Sequence, residues 1–176
     1  GVFLYLDGVK STSSASAMSG FSIEQIGRTD SEAFEGYVAD VRFLDGTSLY
    51  TSSFTPPTSR LTAITNTKFL ACHKPYFKDE GSGGVALTLN GHTQIAPVGP
   101  YDYGGYTSSS GGSIRFDGTG DYLSATTTAL GTGDWTVEYW VFHDVTNRDM
   151  VHLSWATYAP SFYHNSSSNR FYFFFF

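Results

Sequence analysis

The chain has 176 residues, of which 40% are hydrophobic, 17% aromatic and 15% charged, and its formal net charge is -6. Its 10 Lys and Arg residues are scattered along the chain. Nucleic-acid binding needs a clustered basic face, so this composition excludes a nucleic-acid-binding domain. No apolar run approaches the ~20 residues that span a bilayer, which argues against membrane insertion. Many aromatic, Thr, Ser and Gly residues are typical of strands and turns, so we expect an all-β protein.

Asp-Gly turns bound the first predicted strands. Residues 2–6 are apolar and stop at Asp7-Gly8, a dipeptide typical of tight hairpins. A second short strand ends at Gly27. A third ends at Asp45-Gly46, which we also interpret as a hairpin turn.

The stretch of residues 37–43 alternates as a half-buried antiparallel strand does. Residues one apart point to opposite faces of a strand. We therefore expect Asp40 to point away from the apolar face, where it orients a neighbouring loop or pairs with groups around Arg42. The residues predicted to share the apolar face are Tyr37, Ala39, Val41 and Phe43.

A segment rich in Thr, Ser and Pro follows at residues 51–66, with Pro56-Pro57 in its midst. Two successive prolines cannot lie inside a sheet and favour a stiff, extended linker. We place a domain boundary near residue 62. Residues 1–62 then form the C-terminal half of one domain plus the linker, and residues 63–176 form the N-terminal part of the next.

Further short strands are predicted after the boundary. Residues 85–89 end at Asn90-Gly91, another hairpin signal. Residues 135–142 are apolar on both faces, which predicts a central strand between two layers. The remaining candidates are residues 68–73, 94–98, 114–116, 150–156 and 170–176. Around ten short strands with no helix predict an antiparallel β-sandwich.

Two motifs in the second part resemble the opening half of a laminin-G-like, concanavalin A-like jelly roll. Residues 116–123 read Phe-Asp-Gly-Thr-Gly-Asp-Tyr-Leu. Residues 131–140 read Gly-Thr-Gly-Asp-Trp-Thr-Val-Glu-Tyr-Trp. They occur close together and in the family's order, which makes the resemblance fairly specific.

The first part resembles the closing half of the same family. Residues 3–9, Phe-Leu-Tyr-Leu-Asp-Gly-Val, match its strand-turn hairpin, and residues 34–43 match its final strand. The order of closing half, linker and opening half is the one expected for a window through a tandem array. Residues 46–63 are also similar to linkers in repetitive laminin-G-like proteins of marine bacteriophage virions.

A candidate Ca²⁺ site lies at Asp117 and Asp121. Ca²⁺ prefers carboxylate and carbonyl oxygens on a flexible turn, and this loop supplies both. The alternative is a tight turn in which the Asp side chains accept backbone N–H groups and Gly adopts positive φ. No other cofactor is indicated.

Candidate ligand-binding residues are Tyr101, Tyr103 and Tyr106, which lie among Gly, Asp and Ser. A tyrosine ring can stack on the face of a sugar. The alternative is that these rings pack over the edge of the sandwich or contact a neighbouring module.

No catalytic group emerges from the sequence. β-Glucanases of this fold use a Glu-x-Asp-x-Glu strand, and the chain has none; Glu138 follows Asp134 without a further carboxylate partner. The five histidines have no metal-ligand spacing. Cys72 lies in an apolar strand and is expected to be buried.

We therefore expect a non-enzymatic structural or adhesion module of a virion or cell-surface fibre, as the resemblance implies. Its partners would be other copies of the chain, other fibre subunits or host-surface glycans. The alternatives are a carbohydrate-binding module of a secreted enzyme, or a glycosidase whose catalytic strand lies outside these residues. The apolar run of residues 171–176 would expose a strand edge, which another copy of the chain or further residues would cover.

Overall fold

The computed structural model describes residues 1–15, 20, 22–29, 32–101, 112–127, 129, 131–155 and 159–174. These residues form strands and no helix, which confirms the prediction of an all-β protein. In particular, this part of the chain has no helix long and apolar enough to cross a membrane. The strands are β1 Val2–Leu6, β2 Val9–Ala15, β3 Gln25–Ile26, β4 Glu35–Asp45, β5 Thr67–Ala71, β6 Thr88–Asn90, β7 Gln94–Ala96, β8 Ser113–Asp117, β9 Tyr122–Ser124, β10 Trp135–His143, β11 Met150–Trp155, β12 Ala159–Asn165 and β13 Arg170–Phe174.

Two antiparallel sheets pack against each other as a β-sandwich. The five-stranded sheet has the order β10-β4-β8-β7, with β5 also pairing with β4. The six-stranded sheet has the order β13-β12-β11-β3-β9-β6. Phe43 and Phe116 from the first sheet and Leu123 and Leu153 from the second belong to one buried core cluster.

The predicted hairpin at Asp7-Gly8 is present. It joins β1 to β2, which pair with each other as a separate two-stranded sheet. Both residues have positive φ, 50° and 76°, as the turns that match strand twist require.

Two other predicted hairpins are wrong. Asn90-Gly91 is a turn, but it carries the chain from β6, which pairs with β9, to β7, which pairs with β8 in the other sheet. Asp45-Gly46 ends β4, and the next strand begins only at Thr67. The dipeptide determines the local turn, whereas the strand partners come from distant parts of the sequence.

A bulge at Asp40 reverses the alternation of β4. Tyr139 of β10 stands opposite both Asp40 and Val41, and Asp40 has a φ of 52°. Val38 and Val41 consequently both belong to the core cluster, which strict alternation would forbid. Tyr37 lies on the opposite face, so the prediction that it shares a face with Val41 is wrong.

Residues 46–66, which we call the proline strap, lie on the outer face of the five-stranded sheet. The backbone N–H of Leu61 donates to Oδ1 of Asp40 at 3.2 Å, and Nη1 of Arg42 donates to the carbonyl of Thr62 at 2.8 Å. Asp40 therefore orients a neighbouring loop, as the sequence predicts.

The prediction that residues 135–142 form a central strand is wrong, because β10 is the outer strand of its sheet. Both of its faces are nevertheless partly covered, although Phe142 is 65% exposed. Trp135 and Val137 pack against the core cluster. On the other face the Thr136 hydroxyl accepts the backbone N–H of Leu49 from the proline strap at 2.9 Å. A loop thus supplies the cover that a second layer of strands would supply.

Segments from both sides of residue 62 contribute to both sheets. β3 lies between β11 and β9, and β4 lies between β10 and β8. In this structure the two segments complete one sandwich. Their assignment to two successive domains of a tandem array stays a prediction.

Candidate functional site

A cleft of about 1050 Å³ separates the β1–β2 hairpin from one outer strand of each sheet, β10 and β13. Its lining comes from the hairpin, the proline strap, β10, β12 and β13. The hairpin is held to the strap by the backbone N–H of Phe54, which donates to the carbonyl of Gly8 at 2.9 Å. The hydroxyl of Tyr5 also donates to the carbonyl of Tyr50 at 3.0 Å. One wall of the cleft is therefore anchored to the sandwich through a loop.

The opposite wall consists of two strand edges. β10 is the last strand of the five-stranded sheet and β13 is the last strand of the six-stranded sheet. Neither pairs with a further strand of the described residues. An outer edge without a strand partner can accept an added strand through backbone hydrogen bonds.

Aromatic side chains make up much of the lining. Tyr50 and Phe54 of the strap stack with their ring centres 3.5 Å apart, and the ring of Tyr5 lies tilted against both. The aromatic residues that line the cleft are Phe3, Tyr5, Tyr50, Phe54, Trp135, Tyr139, Trp140, Phe162, Tyr163, Phe171, Tyr172 and Phe173.

Glu138 lines the cleft with both carboxylate oxygens occupied. Arg42 donates from Nε and Nη2 to Oε1 at 2.8 and 2.6 Å, and the Tyr50 hydroxyl donates to Oε2 at 2.9 Å. Burial, followed by the nearby Glu138 carboxylate, raises the pKa of Tyr50, so this hydroxyl keeps its proton. Glu138 thereby ties the proline strap to β10.

Tyr101 lies outside the lining of the cleft. Its ring meets Trp140 edge-on, with ring centres 5.7 Å apart. Burial raises the pKa of Asp40 to about 6, against the opposing effects of the nearby Tyr101 side chain, the Leu61 N–H and two arginines. Tyr101 thus packs against Trp140 on the sandwich, and its role in ligand binding stays a prediction. Tyr103 and Tyr106 lie outside the described residues.

The two aspartates of the candidate Ca²⁺ site lie together in one turn. Oδ1 of Asp121 accepts the backbone N–H of His92, and Oδ2 accepts that of Asp117 at 2.9 Å. Oδ1 of Asp117 accepts the N–H of Thr119 at 2.7 Å. These are the bonds of the tight-turn alternative.

Sequence analysis does not identify His92 as a neighbour of this turn. One ligand atom each of His92, Asp117 and Asp121 lie within 4.8 Å of one another. The Asn90-Gly91 turn brings His92 close to Asp117 and Asp121. In the sequence, the only sign of this is that His92 directly follows the turn. Imidazole is a poor ligand for Ca²⁺, which prefers oxygen. Calcium binding here stays a prediction.

Three further histidines meet between the sheets, although their spacing along the sequence does not indicate a common site. His143 lies on β10, His152 on β11 and His164 on β12. Their only sequence signal is that each one occurs in a strand that also contains aromatic residues, which is too weak to group them.

Comparison of the chain with protein-family models, with curated proteins and with solved structures finds no match. The resemblance of the motifs to laminin-G-like domains accordingly stays a prediction. The assignment of a β-sandwich rests on the strand pairing and the shared core.

Proposed function

We propose that the chain is a non-enzymatic structural and adhesion module of a virion or cell-surface fibre, which joins a second copy of itself through the cleft. One observation carries this proposal. One outer strand of each sheet, β10 in one and β13 in the other, borders the same cleft and has no further strand partner among the described residues. The resemblance to tandem laminin-G-like modules suggests the fibre context.

Within the described residues, the outer edges of β10 and β13 lack the uncompensated charges that usually prevent strand addition. In β10 the acidic residue is Glu138, whose charge is compensated by Arg42 at 2.6 Å. In β13 the charged residue is Arg170, at the start of the strand. An antiparallel edge can pair with the same edge of a second copy about a two-fold axis, so identical subunits suffice.

Sedimentation equilibrium over a concentration series tests this proposal. We expect the wild type to self-associate, and Tyr172→Lys, which places a charge on the β13 edge strand, to shift the equilibrium towards the monomer. Leu89→Lys is the matched control, because exposed Leu89 lies on β6, the opposite outer strand of the same sheet. A wild type that stays monomeric at every concentration, or equal effects of the two variants, would contradict the proposal.

The aromatic lining favours glycan binding as a second candidate function. Tyr50, Trp135 and Tyr172 each line the cleft and are partly exposed. Rings at the surface of a cleft can stack on the apolar face of a sugar. This function would make the chain a carbohydrate-binding module, on a fibre or on a secreted enzyme.

A glycan array separates the two candidates. Glycan binding predicts saturable binding that Tyr172→Ala weakens, while Tyr76→Ala, which changes an exposed tyrosine outside the cleft lining, leaves it unchanged. A module that only joins its own copies gives no signal on the array.

A further inference from the structure

Three imidazole rings from both sheets meet inside the sandwich. His152 and His164 are fully buried, at 0% and 1% exposure, and His143 is partly buried. The ring centre of His143 lies 5.0 Å from that of His152 and 4.9 Å from that of His164. The ring of Phe171 packs against all three.

The nitrogen atoms of the cluster are arranged in an inner and an outer set. Nε2 of His143 and Nε2 of His152 face each other at 2.9 Å. On the outer side, Nδ1 of His152 lies 3.1 Å from the Tyr139 hydroxyl, and Nε2 of His164 lies 3.0 Å from Oδ1 of Asn169. Nδ1 of His164 is buried and has no hydrogen-bond partner among the described residues.

This arrangement is typical of metal-ligating histidines. Such a histidine binds the ion through one nitrogen and gives the other to an oxygen that orients the ring. Tyr139 and Asn169 are the oxygens in that place for His152 and His164.

The spacings of the His143 ring from the His152 and His164 rings suit one tetrahedral ion. Two imidazoles bound to the same ion at about 2.0 Å have ring centres about 5 Å apart. No choice of one nitrogen from each of the three rings places all three within 4.8 Å of one another in this structure, so ion binding requires the rings to move closer together.

We propose that His143, His152 and His164 form a binding site for one divalent transition-metal ion of the zinc class. Imidazole nitrogen suits Zn²⁺, Cu²⁺ and Ni²⁺, whereas Ca²⁺ and Mg²⁺ require oxygen ligands. The ion would link β10 of one sheet to β11 and β12 of the other. The competing arrangement is a metal-free chain of hydrogen bonds from Tyr139 through His152 to His143, which leaves Nδ1 of His164 unsatisfied.

Titration of chelator-treated protein with Co²⁺, followed by displacement with Zn²⁺, tests the site. We expect one saturable equivalent, a tetrahedral Co²⁺ absorption band that Zn²⁺ removes, and a higher melting temperature in Zn²⁺. His164→Gln should abolish the band, and Asn169→Ala should weaken Zn²⁺ binding by about 10- to 100-fold. His92→Gln is the matched control, because it changes the histidine beside Asp117 and Asp121 and should leave the band intact.

Absence of a saturable band in the wild type, persistence of the band in His164→Gln, or its loss in His92→Gln would overturn the proposal. Circular dichroism shows whether His164→Gln folds. Should it not fold, X-ray absorption at the zinc edge of the wild type decides. Three imidazole ligands support the site, and an oxygen-dominated shell contradicts it.

Discussion

Arg42 and Glu138 lie directly opposite each other on β4 and β10, and the guanidinium donates twice to one carboxylate oxygen, at 2.8 and 2.6 Å. Their side chains are only 7% and 15% exposed. Tyr50 bonds the other oxygen of Glu138, and Thr62 accepts a further bond from Arg42. One ion pair between two strands thereby holds the proline strap at two points.

Glu138→Ala should lower the free energy of unfolding by about 3 kcal/mol, because it leaves a mostly buried guanidinium without its counter-charge. Urea unfolding followed by tryptophan fluorescence measures the change. Arg115→Ala is the control, since Arg115 and Asp144 form a pair at 3.6 Å with exposures of 41% and 26%. A pair this exposed should contribute less than about 1 kcal/mol. Equal losses in the two variants would contradict a special role of the buried pair.

Asp40→Asn should stabilise the protein at pH 7 by about 2 to 3 kcal/mol, since it removes a buried charge. Burial raises the folded-state pKa of Asp40 from 3.8 to about 6. Between these values the folded protein keeps a proton that the unfolded chain has lost, so the contribution of Asp40 to stability falls as the pH rises through 6.

The difference between Asp40→Asn and the wild type should therefore shrink as the pH is lowered from 7 to 4.5. Urea unfolding of both proteins at each pH measures this difference in the free energy of unfolding. The titration of every other group affects both proteins alike and therefore cancels in the difference. A difference that does not depend on pH would show that Asp40 is not destabilised by burial.

Gly27→Ala should destabilise the protein by about 2 kcal/mol or more, because it combines strain and overpacking. Gly27 has a φ of 94°, and an added Cβ would lie 2.6 Å from ring carbons of fully buried Phe116. Thermal unfolding measures the loss. Gly133→Ala, where an added Cβ meets nothing within 4 Å, should change little. Similar melting temperatures for the two variants would contradict the close packing at Gly27.

Asp121→Ala should lower the free energy of unfolding by about 2 kcal/mol, because the backbone N–H groups of His92 and Asp117 lose their acceptor. The tight-turn alternative predicts the same loss with and without added Ca²⁺. A wild type that Ca²⁺ stabilises, with that effect absent in Asp121→Ala, would instead establish the ion site. Asp134→Ala, at an exposed carboxylate, is the control and should change stability by less than about 0.5 kcal/mol.

Local signals in the sequence identify most of the strands, though not β12, and one hairpin. Asp7-Gly8 predicts the β1–β2 turn because its positive φ angles depend only on these two residues and the twist of the flanking strands. The same kind of signal at Asn90-Gly91 predicts a turn correctly and its strand partners wrongly. Aromatic alternation at residues 135–142 predicts cover on both faces, but not that a loop supplies half of it.

The amino-acid sequence by itself determined that this chain forms strands and where several of them end. Only the tertiary structure decided which strands pair, where the bulge at Asp40 reverses a face, and which histidines meet. The physical reason is the distance along the sequence over which each effect acts. Side-chain alternation and turn geometry act over a few residues, whereas the pairing of Ile26 with Leu123 and Leu153 joins positions about a hundred or more residues apart. Such pairs form only when the whole core closes, and both the cleft and the histidine cluster depend on them.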